Sequence, residues 1–263
     1  MHAVARTSQP PLTLLWQDEH MVAVYKPAGW LVHKTALARG ETRFVLQTLR
    51  DQLGGRHVYP VHRLDKATCG VLLMALHPEA AHTLAQAFAE HRVHKRYLAL
   101  ARGWAPDLAD VDYALRPHDA PPDAPTQPAQ TRLQRLARLE LPEAYDSRHP
   151  STRASLVLAE PRTGRRHQIR RHLKHIAHPI IGDTTHGKGA LNRWWAERLG
   201  GQRLWLHAWE LALAHPVSGV PLLLRSGLQW PGTAPLPNAP QELHDWARLL
   251  RHPAWQAWQW PEA

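Results

Sequence analysis

From His62 to Gly70 the chain reads HRLDKATCG, which places Arg63, Asp65 and Lys66 in one short polar stretch directly ahead of the apolar run VLLMAL. An aspartate there has two readings. It is either half of an ordinary ion pair with Arg63, worth little at a surface, or a carboxylate kept ionised for covalent chemistry. A second stretch, RRHQIRRHLKHIAH at 165–178, bears on the choice. At about 100° per residue, Ile169, Leu173 and Ile176 form one apolar stripe of a helix, with Arg170 and Lys174 along its flank. Arg170 is therefore expected half-sheltered at the core boundary, where a guanidinium needs an anion, and Asp65 is a candidate partner. Arg165, Arg166, His167 and Arg171 fall on the first turns of this predicted helix, where free amides also attract phosphate. Taken alone, that cluster fits a solvated basic face as well as a site for something anionic.

The elements that must position these residues are legible in outline. LTLLWQDEHMVAVYKPAG reads as two short strands around a polar turn, stopped by Pro27 and Gly29. Between Pro78 and His91, Ala81, Leu84 and Phe88 recur at helical spacing, and RYLALARG then alternates like a strand, with Tyr97 near its start. The proline-rich stretch 118–130 reads as a surface loop. ASLVLAE is a strand, PRTG a turn, and the helix that follows ends before Pro179. QRLWLHAWELALAHPVSGVPLLLRS closes the core as a hairpin. Trp230, Trp246, Trp255, Trp258 and Trp260 in the tail suggest a C-terminal helix packed on the body rather than a stacking platform for RNA. Strands joined mainly as hairpin neighbours predict an α+β fold, a mostly antiparallel sheet with peripheral helices.

Composition narrows the class of partner. The chain has 263 residues, 44% of them hydrophobic, and 32 Lys and Arg against 22 Asp and Glu give +10 with histidine neutral. That balance draws a protein to polyanions. No run approaches the ~18 apolar residues of a spanning helix, and the leader at 1–11 lacks a signal-peptide core, so a cytoplasmic protein without membrane attachment is expected. The single cysteine, Cys69, agrees with a reducing compartment. The 20 histidines are scattered, and no metal site is expected.

Several motifs together, in order, resemble the RluA-type pseudouridine synthase family: YKPAGWLVH (25–33), HRLDKATCG (62–70), HKRYLAL (94–100), PRTGRRHQIRRHLKHIAHPIIGD (161–183) and LHAWELALAHPVSG (206–219). The likeness runs from Leu12 to Leu228, which the expected organisation treats as one catalytic domain, with 229–263 as an extension packed on it. It implies isomerisation of a uridine in RNA without a cofactor. Asp65 matches the family's nucleophile, Arg170 the arginine paired with it, and Tyr97 the tyrosine that packs on the target base. Tyr97 also fits a plain core residue. Arg63 matches the side chain that enters the stack when the base leaves it, and Lys95, Arg165, His167, Arg171 and Lys174 are expected as contacts to the RNA backbone. Flanking segments resemble the group acting on tRNA, at uridine 65 of the T-stem, with ribosomal RNA or a non-catalytic RNA chaperone as alternatives. A monomer without an obligate protein partner is expected. The chain departs from the wider family at Cys69 (usually serine), His186 (usually tyrosine) and Ala177 (often glycine).

Overall fold

The computed structural model describes residues 9–34, 40–117, 119–121, 123–147, 149–229, 235 and 238–256. Among the described residues ten strands form one sheet. Strands β1 (Leu14–Gln17), β2 (Met21–Lys26), β3 (Tyr59–Pro60) and β4 (Cys69–Ala75) make one wing. In the other are β5 (His94–Arg102), β6 (Leu108–Asp112), β7 (Gln130–Leu141), β8 (Thr152–Pro161), β9 (Leu206–Ala214) and β10 (Pro221–Arg225). The order is β1-β2-β4-β9-β5-β8-β7-β6, with β3 against β4 and β10 against β9. Every pairing is antiparallel except β4 with β9, which confirms the α+β expectation.

Among the described residues the strand ladder that joins the two wings covers two residue pairs, Cys69 with His207 and Gly70 with Ala208. Gly70 is what permits this approach: its φ is +116°, and a Cβ there would lie 2.1 Å from the carbonyl oxygen of Ala208. Ala208 in turn faces Tyr97 on β5, so Gly70, Ala208 and Tyr97 stand in one row across three strands. At ~4.8 Å per strand, the start of β4 and Tyr97 are ~10 Å apart.

Both faces of β2 and β4 are covered. Val22, Val24, Leu72 and Met74 join one apolar cluster, while Met21, Ala23, Val71 and Leu73 join the other. Helix α2 (Pro78–Ala89) covers the second cluster with Ala80, Leu84 and Ala87 buried; Ala81 and Phe88 of the expected stripe are only partly so. The first cluster receives α1 (Val45–Gln52), α3 (Gln168–His175), α4 (Gly189–Leu199) and α5 (Gln241–Leu250). Trp246 of α5 is fully buried, with its ring 5.2 Å from that of Trp205. Trp255 donates from its indole to Leu249 O at 2.7 Å, and Trp230, Trp258 and Trp260 lie outside the described residues. Among the described residues no helix is long and apolar enough to cross a membrane.

Helix α3 is shorter than expected. Arg165, Arg166 and His167 precede it in a turn, and His167 caps it with φ +57°, a left-handed conformation. Its far end is a Schellman close: Ala177 N–H donates to Lys174 O at 2.9 Å and His178 N–H to Leu173 O at 2.8 Å. Such a close needs a left-handed residue, and Ala177 takes φ +66° there.

Candidate active site

Asp65 sits in the turn that leads into β4, where Thr68 N–H donates to Asp65 O at 3.0 Å. The neighbouring carbonyl of Lys66 is clamped from the KPAG loop by Gly29 N–H at 2.8 Å and Lys26 Nζ at 3.1 Å. Lys26 is fully buried, and its ammonium also donates to Pro27 O and Trp30 O. Burial pushes its pKa down to about 8, with the carboxylates of Glu242 and Asp65 pulling the other way. The first motif thus acts as a brace that fixes the Asp65 turn, and Ala28 N–H ties it to Glu242 of α5 at 2.7 Å.

The Asp65–Arg170 pair is present. Arg170 NH1 donates to Asp65 Oδ2 at 3.1 Å. Arg170 is only 5% exposed, deeper than the half-sheltered position its helical phase suggested, because its other edge is taken by a second carboxylate. Nε and NH2 each donate to Asp183 at 2.8 Å, a bidentate pair. Asp183 Oδ1 also accepts the amides of Thr185 and His186, both at 2.9 Å. Burial alone would raise the Asp183 pKa, but Arg170 and these amides hold it below the usual carboxylate range. Burial likewise opposes the Arg170 cation, and Asp183 and Asp65 together keep its pKa raised.

The Asp183 turn carries a second arm to Asp65. His186 Nε2 lies 3.1 Å from His167 Nδ1, and His167 Nε2 lies 3.8 Å from Asp65 Oδ2. Burial drives the His167 pKa down to about 4, with Asp65 pulling the other way, so the ring is neutral near pH 7. Tyr97 is 9% exposed; burial, then the Asp65 charge, raises its phenol pKa and keeps the hydroxyl protonated.

These groups surround a cleft of about 690 Å³ that Arg63, Asp65, Lys95, Tyr97, Arg165, His167 and Arg170 line. Lys95 donates to Thr163 O at 3.0 Å, and burial lowers its pKa to about 8. Two expected contacts fall elsewhere. Arg171 lines an adjoining groove, and Lys174 is exposed and lines neither cavity. Among the described residues no group of three or more His, Cys, Asp or Glu could hold a metal ion.

A carboxylate braced beside a buried guanidinium thus shares one basic cleft with a buried tyrosine. The sequence profile of RNA pseudouridylate synthases matches residues 20–175, and the chain belongs to that family, whose members are isomerases. Its structure is similar to that of human RNA pseudouridylate synthase domain containing 1, with a TM-score of 0.64 and 25% identity, covering 83% of this chain and 84% of that one. Among curated proteins it is 50% identical over 224 residues to tRNA pseudouridine synthase C of Salmonella typhimurium, covering 82% of this chain and 85% of the relative. It is also 50% identical over 222 residues to the Pectobacterium carotovorum protein of the same name, of whose length the match spans 58%.

Proposed function

We propose that this chain converts a uridine of tRNA to pseudouridine, with Asp65 as the covalent catalyst. The observation that carries the reading is Asp65 at the cleft wall, 3.1 Å from a buried arginine that a second carboxylate holds in place. The reaction breaks the N1–C1′ bond and forms C5–C1′; C5 gives up a proton and N1 gains one, so no redox partner is required. An ionised carboxylate can add to the base or the sugar and leave again. Arg170 orients Asp65 and offsets its charge, Tyr97 supplies a flat face for the uracil, and neutral His167 closes the cleft beside them.

The names of the curated relatives support tRNA as substrate, and uridine 65 of the T-stem is the position this reading takes. A paired uridine must leave its stack at a cost of a few kcal/mol. In this reading Arg63, which is exposed and lines the cleft, fills the gap. Lys95, Arg165 and His167 line the cleft where the sugar and backbone would lie, Arg171 borders it, and Lys174 is left as a peripheral contact.

The test is incubation of the purified protein with unmodified tRNA and ribosomal RNA transcripts, followed by pseudouridine mapping. Modification of tRNA at one T-stem uridine supports the proposal. Modification of ribosomal RNA alone overturns the substrate, and RNA binding without any pseudouridine overturns the catalytic reading in favour of a chaperone.

A further inference from the structure

Beside the cleft lies a second groove of about 440 Å³, continuous with it through Arg63, Gln127, Arg165 and Arg166, which line both cavities. Arg116, from the connection between β6 and β7, and Arg171 of α3 complete a ring of five arginines facing one acid, Asp119. Asp119 is engaged by Arg166. Three of the others are held by neutral carbonyls: Arg165 Nε by Pro128 O at 3.1 Å, Arg171 NH1 by Arg116 O at 2.7 Å, and Arg116 Nε by Ala124 O at 3.3 Å. A carbonyl orients a guanidinium without neutralising it, so the groove keeps a surplus of positive charge and N–H donors in set directions. Like charges gathered in a concave site focus a field that favours an anion.

We propose that this arginine groove binds the phosphodiesters flanking the target nucleotide. The inference rests on the RNA-substrate reading above and adds a site to it. Arg63 stands where the two cavities join, the point at which a strand lying in the groove would send one base into the cleft. Guanidinium forks match phosphate oxygens in geometry. The groove also falls within the ~300–1,000 Å³ range of ligand clefts.

Counterion release gives the measurement. Each phosphate that the protein no longer neutralises shrinks the slope of log affinity against log salt by roughly 0.7–0.9. Binding of unmodified tRNA across a potassium chloride series is compared for the wild type, Arg116→Gln, Arg171→Gln, Arg116→Lys and Arg251→Gln, the last an exposed arginine outside the groove. The expected result is a slope reduced by about one phosphate's worth in each groove Gln variant, in protein with wild-type thermal melts, and a wild-type slope in Arg116→Lys and Arg251→Gln. An unchanged slope in both groove Gln variants, or an equal reduction in Arg251→Gln, overturns the site. If ribosomal RNA proves to be the modified substrate, the same series on that RNA decides the groove separately from the tRNA assignment.

Discussion

Replacing Asp183 with asparagine probes a buried part of the site. The Asp183 side chain is fully buried and accepts four hydrogen bonds, two from Arg170 and one each from the amides of Thr185 and His186. Asparagine can keep the amide pair through its oxygen, but its NH2 then faces an Arg170 donor. Removing one partner of a buried ion pair costs about 3–5 kcal/mol. Two retained amide bonds and the remaining Asp65 contact put this case near the lower end, roughly 3 kcal/mol. For a chain of this size that lowers the melting temperature by roughly 6–12 °C. With one edge of Arg170 released, NH1 is no longer held toward Asp65, and a displacement of about 1 Å costs on the order of 10²-fold in rate. Asp183 has no exposed side-chain surface with which to touch RNA. Single-turnover rates at saturating tRNA, tRNA dissociation constants and thermal melts therefore separate the effects: the rate falls about 10–100-fold, the melt drops, and affinity stays within about twofold. A folded Asp183→Asn protein with wild-type rate and melt would refute the positioning role.

Three further outcomes follow from the geometry. Cys69 is fully buried with Sγ 3.3 Å from His207 Nδ1 and 3.0 Å from Arg203 NH2, contacts a hydroxyl can also make, so Cys69→Ser should turn over within about twofold of wild type in a steady-state assay. His207 is fully buried and burial lowers its pKa to about 3. The unfolded chain therefore binds a proton that the folded chain refuses, and stability measured by urea unfolding should fall as pH drops from about 6.5 toward 3; a flat profile over that window would contradict it. Ala177→Gly should stabilise by about 0.5–1 kcal/mol in the same assay, because glycine takes φ +66° without the Cβ penalty.

Several of these features were readable in the chain itself. The apolar runs at 21–25 and 71–76 and the hairpin near 206–225 announced strands by composition and turn residues. Helical phase and the need of a sheltered guanidinium for an anion made Asp65 a candidate partner of Arg170, and the family resemblance implied the pair that the structure shows. Strand β7 did not announce itself, because in QTRLQRLARLEL Leu133, Leu136 and Ala137 fit a helical period while Leu133, Ala137, Leu139 and Leu141 fit a strand. Pairing with β8 along its length decides it. Strand β6 is a five-residue edge with one buried residue, too little for a pattern to show. Asp183 was missed for a related reason: no spacing rule links it to Arg170, thirteen residues earlier. The available signal was physical, since one carboxylate cannot satisfy a guanidinium buried on two edges. Lys26 was visible within a motif, but its role as a three-carbonyl brace exists only once the loop is folded.

Asp183 also changes what removing Asp65 should do. From sequence, its removal would leave Arg170 unpaired; in the structure Arg170 keeps its bidentate partner, so Asp65→Asn should fold. The most direct measurement is then single-turnover pseudouridine formation in tRNA by folded Asp65→Asn, with tRNA affinity measured on the same protein. Loss of the charge and the nucleophile should bring the chemical step to background while affinity, carried by arginine and lysine contacts, stays within about twofold of wild type. Pseudouridine formed at the wild-type rate would contradict the assignment of Asp65 as the covalent catalyst.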